Sequence, residues 1–138
     1  METTDRFGGR YVQPELIGEG GMGRVFRAHD TLRDAMVAIK ELSLRHVDSP
    51  GLRRRFEHEF RVMRRLRHPN TVEVCDFGRT EDGVPYIVME HVEGPLLAEV
   101  PPMAPDRVAE VLAQLCQALA YILSRLYVHC DLKPSNVK

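Results

Sequence analysis

Hydrophobic and polar positions change rhythm along this chain, and the changes mark its elements. Between Tyr11 and Leu42 three short β-leaning runs, YVQPELIG, GRVFRAHD and DAMVAIKEL, are separated by turn residues and predict three successive antiparallel strands. Ser49-Pro50 is a helix start, Ser as the cap and Pro in the first turn, and helical spacing then runs to His68-Pro69-Asn70. Two further runs, TVEVCDFG and VPYIVMEHV, predict a fourth and fifth strand joined by the polar turn RTEDG. After the proline-rich GPLLAEVPPMAP, a second helix is predicted from about Asp106 to Arg125. Its apolar positions Val108, Leu112, Leu115, Leu119, Ile122 and Leu126 recur at three- and four-residue steps.

Composition narrows the picture only a little. The 138 residues suffice for one domain, and 43% hydrophobic with 28% charged residues and a net charge of −1 single out no partner. Three cysteines without CxxC spacing suit reduced thiols in a cytoplasmic setting. No apolar run approaches a membrane span or a secretory signal, so no membrane contact is expected of this chain.

The chemistry lies in three places. GEGGMGRV, Gly18 to Val25, fits GxGxxGxV between two strands. Glycines there let the backbone close over phosphates and offer N–H groups to them, although a plain flexible turn accounts for the same letters. VAIK closes the third strand with Lys40, whose ammonium pairs with phosphate oxygens or simply snorkels out of the strand end. On the first helix Leu52, Phe56, Met63 and Leu66 form an apolar stripe with Glu59 in its middle. A carboxylate on a buried face needs a partner, and Lys40 explains its position better than Arg55, one helical turn earlier. The seven arginines around Glu59 read as a solvated face or as an anion site. Nucleic-acid binding is not expected, because the charge is −1 and no aromatics interleave the basic run.

HCDLKPSN, His129 to Asn136, is the most specific stretch. An Asp, a Lys two positions on and an Asn five positions on suit one loop serving a transferring phosphoryl group. Asp131 would accept a hydroxyl proton, Lys133 balance γ-phosphate charge and Asn136 hold a metal. By contrast CDFG, Cys75 to Gly78, precedes that loop, reads as the end of the fourth strand, and is expected to bind no metal.

With these motifs in this order, the chain resembles the first half of a bacterial-type protein serine/threonine kinase domain from about Tyr11 onward. The resemblance implies an α+β fold. Its parts would be a kinase-like N-lobe of five antiparallel strands plus helix C, and the start of a helical C-lobe, truncated. The boundaries would be an extension over 1–10, the N-lobe over 11–93, and the hinge, first C-lobe helices and catalytic loop over 94–138. It implies ATP and Mg2+ as cofactors and a Ser/Thr-bearing protein as substrate. Gly18, Gly20 and Gly23 would form the phosphate loop, Lys40 and Glu59 the strand-to-helix ion pair, and Met89 the gatekeeper. Glu90 to Val92 would be the adenine hinge, and Ile17, Val25 and Ala38 apolar walls, although the apolar residues also fit plain sheet packing.

Departures from that pattern carry expectations of their own. Cys130 stands where the family has an arginine that pairs with a phosphorylated activation loop, Leu126-Tyr127 where a glycine often ends the helix, and Lys138 where an apolar residue often floors the adenine pocket. No second DFG follows Asn136, which implies very low activity for the isolated chain and an apolar patch near its C-terminus. The alternative function is a non-catalytic kinase-like fragment that binds nucleotide, or a partner kinase or missing C-lobe.

Overall fold

Among the described residues five strands and two α-helices form: β1 (Tyr11–Gly20), β2 (Gly23–Asp30), β3 (Ala35–Leu42), α1 (Pro50–Arg65), β4 (Val74–Arg79), β5 (Pro85–Glu90) and α2 (Pro105–Ser124). The computed structural model describes residues 6–21, 23–129 and 132–138. Two compact units result, one built from residues 1–65 and 73–91 and the other from 66–72 and 92–138.

The first unit is a five-stranded antiparallel sheet in the order β1-β2-β3-β5-β4, with α1 on one face. β1 runs two residues past its predicted end because its pairing with β2 continues to Gly20 opposite Gly23. There the chain presses on β3. A Cβ on Gly23 would lie 1.9 Å from the Glu41 carbonyl oxygen, so only glycine fits. At the same end of the strands but on the opposite edge of the sheet, the RTEDG turn places Gly83 at φ +79° and closes on Thr80, whose hydroxyl accepts from the Val84 N–H at 3.1 Å. β4 begins at Val74, later than the pattern of alternating valines suggests, and a register shift falls at Cys75.

Each face of the sheet has its own core. Phe56 of α1, with Phe60 and Met63 beside it, packs on Leu42, Val74, Val84 and Ile87. Ser49 caps this helix, its Oγ accepting from the Leu52 N–H at 3.4 Å, and Pro50 fills the first position. On the opposite face Phe7, ahead of β1, inserts among Phe26, Ile39, Tyr86 and Val88 and is 1% exposed. Its ring stands edge-on to Phe26 and Tyr86 at 5.5 and 5.0 Å. Burial of a Phe side chain stabilises by about 2–3 kcal/mol, so this segment is part of the core.

The second unit is organised around α2, whose first residue Pro105 follows the extended Ala104. Residues 66–72 lie along it: Tyr121 accepts from the Arg67 N–H at 2.9 Å, and the Asn70 amide donates to the Gln114 carbonyl at 3.0 Å. The helix ends in a Schellman motif, Leu126 N–H to Leu123 and Tyr127 N–H to Ile122, with Leu126 itself at φ +64°. That is the position where the sequence lacks the customary glycine. Apolar side chains remain open in this unit: Leu112 is 54% exposed, Leu123 62% and Leu126 92%. Among the described residues no helix is long and apolar enough to cross a membrane.

Candidate functional site

β3 positions the first cluster. Its alternation sends Val37 and Ile39 into the Phe7 side of the sheet, and Ala38 and Lys40 to the side that carries α1. Val25 is opposite Lys40 on β2, Ile87 is opposite it on β5, and Met89 is opposite Ala38. Val25, Ala38, Lys40 and Met89 therefore share one face of the sheet. Lys40 Nζ reaches Glu59 Oε1 of α1 at 3.3 Å. This is the pairing the apolar stripe predicts, in preference to Arg55. The expected depth is corrected, however. The Glu59 side chain is 43% exposed and that of Lys40 32%, because α1 lays Phe56, Phe60 and Met63 on the sheet and leaves Glu59 at the margin of the packed stripe. Such a pair contributes little stability, under about 1 kcal/mol, and its value lies in holding the ammonium in one place.

The glycine stretch forms the hairpin from β1 to β2. Gly18 faces Val25 and Gly20 faces Gly23, while Ile17 falls at a register shift and is 45% exposed. A contact the sequence does not reveal holds its tip. His46, on the 3-10 turn Leu44–His46 that follows β3, places Nε2 2.9 Å from the Gly21 carbonyl oxygen.

At the end of β5, Glu90 pairs with Glu73 through both its backbone N–H and its carboxylate, each at 2.9 Å. Val92 belongs to the second unit, as do Lys133 and Asn136. Lys133 and Asn136 flank or form the 3-10 turn Pro134–Asn136, whose Asn136 N–H donates to the Lys133 carbonyl at 2.9 Å; both side chains are exposed. The Val137 carbonyl accepts from the Leu97 N–H at 2.7 Å and ties this turn to the segment before α2. Asp131, expected to accept the hydroxyl proton, and Cys130 lie outside the described residues.

CDFG has a purely structural explanation for each of its last three letters. Asp76 accepts from Arg10 Nη1 at 2.8 Å and from the Tyr11 hydroxyl at 3.0 Å. Phe77 stacks on Phe60 of α1 with centroids 5.0 Å apart. Gly78 lies under Tyr86, where a Cβ would meet the ring at 2.4 Å. Arg10 also grips the fully buried Asp30 through two bonds of 2.9 and 2.8 Å. Those bonds hold the Asp30 carboxyl below its ordinary value and raise the Arg10 guanidinium above its own, while burial and the Asp76 bond push the Tyr11 hydroxyl up. Glu41, also fully buried, is paired to Arg6 and Arg24 on the face opposite Lys40. Sequence reasoning missed these pairs, since residues far apart in the chain carry no local periodic signal.

Among the described residues no three His, Cys, Asp or Glu side chains gather as a metal site. The one oxygen donor the sequence nominates, the Asn136 carboxamide, suits a hard cation that takes its remaining ligands from phosphate and water.

The family model described as "Protein kinase domain" matches residues 11–137. The chain is 38% identical over 132 residues to the serine/threonine-protein kinase pkn3 of Myxococcus xanthus, covering 93% of this chain and 24% of that protein. It is 38% identical to PrkC of Bacillus subtilis (96% and 21% covered) and 37% identical to PknB of Mycobacterium tuberculosis (99% and 23%). The structure resembles the Mycobacterium tuberculosis PknI kinase domain with a TM-score of 0.76 and 28% identity, covering 92% of this chain and 53% of that one. The chain thus spans about a quarter of these curated relatives and about half of that kinase domain.

Proposed function

The chain belongs to the protein kinase domain family, and from that premise we propose that it supplies the ATP-handling part of a protein serine/threonine kinase. The observation that carries this reading is the Lys40–Glu59 pair at 3.3 Å, set on the sheet face that also bears Val25 and Ala38. A lysine fixed by a carboxylate presents its charge at one point, which suits the α- and β-phosphates of ATP. The backbone amides of the hairpin carrying Gly18, Gly20 and Gly23 would bind the phosphates. Ile17, Val25, Ala38 and Met89 would receive the base, with Glu90 to Val92 hydrogen-bonding its edge.

In the transfer step a Ser or Thr hydroxyl oxygen of a protein substrate forms a bond to the γ-phosphorus, and the bond from that phosphorus to the ADP oxygen breaks. Asp131 takes the hydroxyl proton, and Lys133 neutralises charge on the transferring group. Asn136 would be the residue that holds Mg2+, which would supply positive charge against the phosphates. The motifs of this sequence nominate no further carboxylate for the metal.

Transfer of labelled γ-phosphate to a generic protein acceptor tests the proposal. Activity that Asp131→Asn and Lys40→Met each abolish supports it. Magnesium-dependent nucleotide binding without transfer keeps the ATP-handling reading and replaces the transfer step with a non-catalytic nucleotide-binding role for this chain, and absence of both overturns the nucleotide reading.

A further inference from the structure

The hairpin tip and the turn after β3 are tied together by two independent contacts. Gly23 sits so close to the end of β3 that a Cβ would lie 1.9 Å from the Glu41 oxygen and 3.1 Å from the Ser43 nitrogen. Ser43 opens the 3-10 turn, its Oγ accepting from the Arg45 N–H and its carbonyl from the His46 N–H at 2.8 Å. The turn so fixed aims His46 back at the hairpin, and Nε2 lies 2.9 Å from the Gly21 carbonyl. A carbonyl oxygen only accepts, so Nε2 carries the proton; both the Nε2–H neutral tautomer and the imidazolium meet that requirement.

We propose that His46 is a positioning residue that clamps the tip of the glycine hairpin onto the end of β3 and so presets the loop for a polyphosphate. The inference rests on the nucleotide reading above for its ligand, though not for the clamp itself. Glycines make the loop able to approach phosphates and equally able to wander, because their backbone freedom is the largest of any residue. Anchoring one carbonyl at the tip removes part of that freedom before the ligand arrives, and preorganisation of this kind appears as affinity. The clamp acts on the loop, so it should affect ligands that engage the loop and spare those that do not. The bond is at the surface and worth the lower part of the usual range for a hydrogen bond, which corresponds to a factor of about 2 to 5 in affinity.

The test titrates Mg·ATP and adenosine onto the 138-residue chain and its variants, alongside amide hydrogen exchange without nucleotide. For His46→Ala the expected result is about 2- to 5-fold weaker Mg·ATP binding, unchanged adenosine binding, and faster exchange over residues 18–21 with β3 and β5 unaffected. His46→Gln, whose amide nitrogen reaches the same carbonyl, should restore both. Equal ATP affinity and equal loop exchange in His46→Ala overturn the clamp, as does a parallel loss for ATP and adenosine, which would signal general loosening. If the wild-type chain binds neither probe, the nucleotide reading fails and loop exchange alone decides: faster in His46→Ala supports the clamp, unchanged refutes it.

Discussion

Asp76→Ala separates the two meanings of the CDFG stretch. As a metal ligand, Asp76 would be required for magnesium-dependent nucleotide binding and would matter little to the folded sheet. As the structure has it, its carboxylate takes a 2.8 Å bond from Arg10 and a 3.0 Å bond from the Tyr11 hydroxyl, and Tyr11 is only 3% exposed. Removing it leaves a buried phenol without that acceptor, while Arg10 keeps its two bonds to Asp30. The Asp76 side chain is 41% exposed, so the charged bond is screened. Together the losses should cost about 1–2 kcal/mol. With a urea m-value of about 1.5 kcal/mol/M, the unfolding midpoint should fall by about 1 M with the slope unchanged. Mg·ATP affinity, measured below that transition, should stay within about 2-fold of wild type. An unchanged midpoint combined with lost magnesium-dependent binding would refute the structural assignment.

Three further substitutions follow from local geometry. Gly23→Ala drives a Cβ into the Glu41 backbone and should destabilise the first unit by about 1–3 kcal/mol, read as a lower Tm. Leu126→Gly should do the reverse, since it relieves a left-handed leucine at the end of α2; a gain of about 0.5–1 kcal/mol in urea unfolding is expected, and a loss would contradict the strain argument. Asp30→Asn tests the buried ion pair through pH. The native Asp30 carboxyl is held below its ordinary value by Arg10, so its contribution is fully present above the unfolded value near about 4 and disappears as pH falls through the folded one. Wild type should therefore exceed the variant by about 2 kcal/mol at pH 7, with the gap closing only in acid. A gap that does not change with pH would exclude this linkage.

Local pattern carried much of this fold. β2 occupies the predicted Gly23–Asp30 because a turn bounds it at both ends, and α1 starts at Pro50 because Ser49-Pro50 is a strong start signal. The Lys40–Glu59 pair was readable too, since a carboxylate on an apolar stripe demands a nearby cation. Legibility failed where the deciding partner is distant. Val72 alternates with Val74 yet is not in the strand, because Glu73 is bound instead to Glu90, 17 residues away. The Arg10–Asp76 bond joins residues 66 apart, and the His46–Gly21 contact joins residues 25 apart in segments with no shared periodicity. Depth of burial was also illegible at Glu59, since helix spacing gives the direction of a side chain and leaves open how far the packed stripe extends.

On the function proposed above, Lys40, held by Glu59, receives nucleotide phosphates. Calorimetric titration of Mg·ATP onto the wild-type chain and Lys40→Met tests it most directly. Saturable, magnesium-dependent binding that weakens about 10-fold or more in Lys40→Met, with adenosine binding unchanged, is the result expected for a lost charge-assisted phosphate contact. Equal Mg·ATP affinity in the two proteins, or no binding to wild type, would contradict it.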